Sequence, residues 1–240
     1  MMFESIGDIL QIIVSRDWNT FRSALLSRPA LFRHAASAVS ACSRLNGMTL
    51  LHAVVRYDPP LEIVAQMIEI CPHMPAATDC LGRTPLHVAA GSGCSASLVA
   101  IIARLYPAAC HAQDDEGKTP LHFICDSSCV LFEEDHGCSP RQPPNHEAVV
   151  ALLPYSLRAT ALEDNEGKSP LEHAIMSNAS AKTVKLLGSI SRKGIQLNGG
   201  LQSFVSATKR LQVHIIPNTS SCSPNPAKKI RRITCDEFCV

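Results

Sequence analysis

The stretch EGKTPLHFICDSSC, residues 116–129, places His122 one helical turn before Cys125, with Cys129 four residues further on. Histidine and cysteine at that spacing on a helix could form a dyad, in which the imidazole activates the thiol as a nucleophile. Cys125, Cys129, His136 and Cys138 also supply four soft ligands within 14 residues, the donor set of a tetrahedral zinc site. Their spacing matches no familiar C-x₂-C pairing, and Glu133, Glu134 and Asp135 crowd the middle. The same residues could instead begin one packing unit among several. A reactive centre occurs once; a structural device recurs.

The stretch recurs. NGMTLLHA from Asn46, LGRTPLHVA from Leu81, EGKTPLHFI from Glu116 and EGKSPLEHA from Glu166 share one pattern. Their glycines are Gly47, Gly82, Gly117 and Gly167, so the steps are 35, 35 and 50 residues. A second marker runs beside the first, an apolar run closed by proline: MIEICP at Pro72, IIARLYP at Pro107 and, more loosely, VVALLP at Pro154.

The last three units open on an aspartate, Asp79, Asp114 or Asp164, three residues before the glycine, which is the pattern of a type I turn. Thr84, Thr119 and Ser169 then stand where a side-chain oxygen caps free backbone N–H groups. Pro85, Pro120 and Pro170 follow at the first helical position, where a missing N–H costs nothing, and Leu86, Leu121 and Leu171 point inward. A second helix, such as ASLVAIIARLYP, carries Leu98, Val99, Ile101, Ile102 and Leu105 at helical spacing. A unit of turn, helix, loop and helix cannot bury both its faces alone, so neighbours must stack.

At these residues the chain resembles the ankyrin repeat family, whose pattern is Asp-x-x-Gly-x-Thr-Pro-Leu-His with paired helices and a period of about 33. DCLGRTPLHVAAGSG matches it closely, and the likeness runs roughly from Gly47 to Ser191. It implies an all-α, helix-turn-helix solenoid of about four repeats, with an N-terminal helical cap and a flexible C-terminal tail. It further implies that His52, His87 and His122 are structural, each tying a first helix to adjacent backbone. Two units depart from the pattern. Leu50 replaces the proline and Arg44 the aspartate in the first, while in the last Glu172 takes the histidine's place and His173 is shifted by one, which should break a contact between units.

The function implied is a non-enzymatic protein-protein interaction scaffold or adaptor that binds a protein partner on its concave face, with no cofactor, no bound metal and a monomeric chain. The family's contact positions fall on Met48, Arg56, Tyr57, Cys80, Leu81, Arg83, Asp115, Glu116, Lys118, Asp126, Asn165, Glu166, Lys168, Met176 and Ser177. Tyr57, Arg56 and Arg83 stand out among them, since aromatics and arginine dominate interface energetics.

The remaining organisation follows from this phase. Residues 1–45 read as an N-terminal helical cap and partial repeat: DWNTFRSALLSRP resembles a second helix lacking its first, SIGDILQIIV completes the cap, and Trp18 packs within it. Residues 46–198 carry the repeats, and the step of 50 against 35 leaves 15 extra residues between Ser127 and Asn145, an insertion of about 127–145. Residues 199–216 hold a candidate closing helix with Leu201, Phe204, Val205 and Leu211 near one face. Residues 217–240 lack periodicity and read as a disordered basic tail, in which Lys228, Lys229, Arg231 and Arg232 resemble a nuclear import signal.

A formal charge of +1 hides an asymmetry. Met1 to Ala181 hold 12 Lys+Arg against 19 Asp+Glu, and Lys182 to Val240 hold 10 against 2, giving nets of −7 and +8. The acidic body disfavours nucleic acid and favours basic or polar protein epitopes. Eleven cysteines at irregular spacing, a start interrupted by Glu4 and Asp8, and no apolar run of about 18 residues point to a cytoplasmic or nuclear protein off the membrane. Two alternatives to the scaffold remain: a regulatory subunit with nuclear access through the tail, and a zinc- or redox-responsive module built on the insertion's cysteines.

Overall fold

The computed structural model describes residues 6–33, 47–129, 131 and 143–191, which are helical and contain no strand. The first pair is α1 (Ile6–Val14) and α2 (Trp18–Ser27), followed by a short α3 at residues 29–33. Then come α4 (Leu50–Val55) with α5 (Leu61–Ile70), α6 (Pro85–Gly91) with α7 (Ala96–Leu105), and α8 (Pro120–Cys125) with α9 (His146–Ser156). The last pair is α10 (Pro170–Met176) and α11 at residues 181–191.

These helices form two rows. In one, α1 touches α4, α4 touches α6, α6 touches α8 and α8 touches α10; in the other, α2, α5, α7 and α9 touch in the same succession. One apolar interior runs between the rows from Ile9 to Leu187, and Leu50, Leu51, Leu86, Leu121, Ile102 and Leu152 are fully buried in it. Helices of six or seven residues are too short to be stable alone, so this shared burial rather than helix propensity holds them.

The turns are built as their spacing requires. Gly82 N–H donates to the Asp79 carbonyl at 3.1 Å, and the Asp79 carboxylate accepts from the N–H groups of Leu81 and Arg83 at 3.0 and 2.9 Å. Asp114 and Asp164 repeat this scheme, each accepting from two N–H groups of its own turn at 2.8–3.0 Å. The turns also bond to one another: Asp115 N–H donates to Leu81 O and Asn165 N–H to Glu116 O, both at 2.9 Å.

Two glycines separate the conformational demand of the turn from its packing. Gly117 and Gly167 share φ = +76°, but a Cβ on Gly117 would lie 2.7 Å from Asn165 Oδ1 and 2.9 Å from its backbone N, whereas one on Gly167 would meet nothing within 4 Å. Gly167→Ala should therefore lose about 1 kcal/mol for the left-handed backbone alone, and Gly117→Ala about 2 kcal/mol. Urea midpoints of the two variants measure the difference. Equal losses would show that the turns do not rest on each other.

The proline marker needs one correction. Pro29, Pro72 and Pro107 each lie 11 residues after the start of α2, α5 and α7, just beyond the helix end. Pro154 lies inside α9, and Leu157 holds the equivalent place, opening a 3₁₀ turn (Leu157–Ala161) as Pro107 opens another (Pro107–His111). The N-terminal segment also differs from the sequence reading. α1 takes the first-helix place, so α2 does not lack a partner helix, and half-buried Trp18 meets Phe21 edge-on at 6.1 Å.

Candidate functional site

His52, His87 and His122 are fully buried and occupy one local design. The Thr49, Thr84 and Thr119 N–H groups each donate to the Nδ1 of the histidine three residues on, at 3.0 Å. An Nδ1 that accepts must be unprotonated, so the ring proton sits on Nε2. Each Nε2–H then donates to the next turn: to Arg83 O at 2.9 Å, Lys118 O at 3.1 Å and Lys168 O at 3.2 Å. Burial pushes all three imidazoles down to about 4. The neutral ring thus caps its own helix with one nitrogen and ties its unit to the next with the other.

The fourth unit divides these tasks. Glu172 takes over the cap, its Oε2 accepting from Ser169 N–H at 2.6 Å and from the Ser169 hydroxyl at 2.8 Å, and these bonds hold its carboxyl below the usual range. His173 turns back instead: its Nε2 lies 2.7 Å from Asp164 Oδ2, its Nδ1 lies 3.6 Å from Asp126 Oδ2, and its ring meets His122 edge-on at 5.7 Å. The one-residue shift removes the forward contact and replaces it with a backward one.

The dyad is not formed. Both ring nitrogens of His122 are engaged, and the Cys125 thiol is fully buried, with burial pushing it up to about 12. A thiol so far from thiolate is a poor nucleophile. Cys71, Cys94 and Cys110 are likewise buried, Cys94 Sγ donating to Val55 O at 2.9 Å, while Cys80 is exposed at a turn tip. Among the described residues no group of three or more His, Cys, Asp or Glu side chains is placed to hold a metal ion. His136 and Cys138 lie outside the described residues, as do Arg44 and the basic cluster Lys228, Lys229, Arg231 and Arg232.

The predicted contact positions separate into an exposed row and an engaged set. Cys80, Asp115, Glu116, Asn165, Glu166 and Met176 are exposed, and Met48, Leu81, Arg56 and Tyr57 are half-buried. Two guanidiniums lie against the Tyr57 ring, those of Arg16 and Arg56, at 5.5 and 5.7 Å from the ring centre. Lys118 pairs with Glu116 at 3.1 Å and Asp126 at 3.5 Å, and Lys168 pairs with Glu166. Ser177 Oγ accepts from Ser127 N–H at 2.9 Å, joining the end of α10 to the start of the insertion.

Arg83 and Asp126 are not surface groups. Arg83 is buried, its Nη2 2.7 Å from Asp79 Oδ2 and its Nη1 donating to Leu131 O at 2.8 Å. Asp126 is buried too, accepting from Ser128 N–H and Oγ at 2.9 and 2.6 Å beside Lys118 and His173.

Two structural residues had little sequence signal. Asp58 adopts φ = +50° and accepts from Ser95 N–H and Oγ at 3.0 and 2.9 Å, joining the loop before α5 to the start of α7. Its only hint was the tolerance of aspartate for left-handed backbone. Leu131 is buried within the insertion, where its Cδ atoms would lie 2.9 Å from a Cβ on Gly91.

Comparison of the chain with protein-family models and with curated proteins finds no match. No described helix is long and apolar enough to cross a membrane.

Proposed function

We propose that this chain is an ankyrin-like, non-enzymatic scaffold or adaptor, cytoplasmic or nuclear, whose partner protein rests on the row of turn tips and the exposed ends of the first helices. The observation that supports it is the backbone bonding between turns, Leu81 O to Asp115 N–H and Glu116 O to Asn165 N–H. These bonds fix the tips in register while leaving the side chains of Asp115, Glu116, Asn165 and Glu166 exposed. Side chains carried on backbone that is already ordered lose little entropy when a partner arrives.

Arg16 and Arg56 lie against Tyr57 just beyond the C-terminal ends of α1 and α4, and the acidic side chains stand at the turn tips, beside Lys118 and Lys168. A partner suited to it carries an acidic or planar group opposite Tyr57 and basic or polar groups opposite Asp115 and Glu116. The test is affinity capture from native lysate, comparing the intact chain with Arg56→Ala/Tyr57→Ala and with Asp115→Ala/Glu116→Ala. Arg56→Ala/Tyr57→Ala should lower the yield of specific interactors at least about tenfold, since aromatic and arginine anchors of an interface carry about 2 kcal/mol or more, and Asp115→Ala/Glu116→Ala should lower it by a smaller factor. Unchanged interactors and yields in both variants would reject the turn-tip face.

A further inference from the structure

Among the described residues, the last helix pair ends in an apolar face with no layer upon it. Pro170 opens α10 as Leu50, Pro85 and Pro120 open their helices, so Ile175 corresponds to Val55, Ala90 and Cys125. Those three are 0%, 6% and 0% exposed, and Ile175 is 57% exposed, with Met176 beside it at 66%. Leu171 shows the same contrast, half-buried where Leu51, Leu86 and Leu121 are fully buried. Leu171 and Ile175, with Ala179, Val184 and the neighbouring Asn178 and Lys185, line a depression of about 700 Å³ between α10 and α11. At the turn, Gly47, Gly82 and Gly117 each abut the next turn, whereas Gly167 has nothing within 4 Å.

Another unit of the same kind is a poor cover for this face. Such a unit would be tied on by a forward-pointing imidazole, and Glu172 stands in that place with its carboxylate spent on Ser169. A single amphipathic helix needs no such tie. Residues 201–216, outside the described residues, place Leu201, Phe204, Val205, Leu211 and Ile215 at helical spacing, with Lys209 and Arg210 between them. As a helix they would span about 24 Å, and α11 spans about 16 Å. The 9 residues 192–200 reach about 30 Å when extended, enough to fold the segment back along α11. So short a tether keeps the segment at an effective concentration of about millimolar, far above that of a second copy in dilute solution.

We propose that residues 201–216 dock as a helix on the apolar face of α10 and α11 and close the stack in place of a fifth unit. The inference is independent of what the turn tips bind. Its test is hydrogen exchange on the full chain, read peptide by peptide at two protein concentrations. Peptides from 201–216 should exchange at least about tenfold more slowly than an unstructured chain, equally at both concentrations. Ile175→Glu and, separately, Phe204→Glu should each abolish that protection while α6 and α8 keep theirs. Should Ile175→Glu disturb α10 itself, Phe204→Glu, which changes no residue of the helix pairs, decides the matter.

Three results would overturn the proposal: unprotected 201–216 peptides in the intact chain, protection that survives both substitutions, or protection that appears only at the higher concentration together with a dimer in sedimentation. The last would make a second copy the occupant.

Discussion

Lowering the pH from 7 to 4.5 is expected to unfold the protein, with His52, His87 and His122 supplying most of the effect. Each ring is buried and neutral, accepting at Nδ1 and donating from Nε2. Protonation would put a second hydrogen on Nδ1, against the threonine N–H that it now accepts. The folded-state values are pushed down to about 4, first by burial, against about 6.5 in an unfolded chain. Nearby charges act in both senses: Asp79 raises and Arg83 lowers His52 and His87, and Asp164 opposes His173 and Lys118 at His122.

The sign follows from which state binds the proton. Above pH 6.5 neither state is protonated and stability is constant; between 6.5 and 4 only the unfolded chain takes up protons, so stability falls with pH. Three such sites give a slope approaching 4 kcal/mol per pH unit, and roughly 8 kcal/mol is lost by pH 4.5. That is comparable with the whole stability of an ordinary domain, about 5–15 kcal/mol. Asp126 and Asp164, whose carboxyls are held below their usual range, add to the loss at still lower pH, and Asp114, raised by burial, opposes it.

Urea unfolding at half-unit steps of pH measures this slope. His87→Gln should lower stability at pH 7 by about 1 kcal/mol, through the lost bond to Lys118 O. It should also make the slope about one third shallower, since glutamine can cap the helix but cannot titrate. A stability that stays flat from pH 6.5 to 4.5 would mean that the rings take up protons as readily in the folded protein as in the unfolded chain.

The parts that sequence reasoning reached are those settled within a few residues. Asp79, Gly82, Thr84 and Pro85 specify a turn, a cap and a helix start through contacts spanning at most four positions, and three copies in phase made them readable. The cap's other half was less accessible. A histidine at the third helical position reads as an inward polar residue, and only the geometry shows its Nδ1 in the role a glutamate plays at Glu172. The fate of His173 was half legible: its shift predicts a lost forward contact, whereas its new partner Asp126 is 47 residues away in sequence and joins it only because α8 and α10 pack together. Pro154 misled for a different reason. An apolar run ending in proline is a statistical marker of a helix end, and the helical geometry of α9 accommodates the residue three positions earlier than its counterparts.

Replacing Arg83 with alanine should destabilise the fold by about 3 kcal/mol rather than weaken a partner's grip on an intact protein. Position 83 flanks a turn glycine, which is why its arginine reads as a contact residue. In the structure Nε and Nη2 grip Asp79 Oδ2 at 2.8 and 2.7 Å, and Nη1 reaches Leu131 O at 2.8 Å, a bond across 48 residues. The carboxylate is buried, so removing the guanidinium leaves a charge with no cation and a carbonyl with no donor. Both are more costly than the loss of an exposed pair. Arg83→Lys keeps the charge but not the planar fork that spans Asp79 and Leu131, and should fall between wild type and alanine. The double variant Asp79→Ala/Arg83→Ala should lose less than the sum of the two single variants, by roughly 2 kcal/mol, because either substitution alone already breaks the pair. Hydrogen exchange at residues 127–129 should quicken in Arg83→Ala as the start of the insertion loses its anchor. If Arg83→Ala instead unfolds within about 0.5 kcal/mol of wild type, as an ordinary surface change would, and captures its partner poorly, the arginine faces outward in solution as its position in the turn suggested.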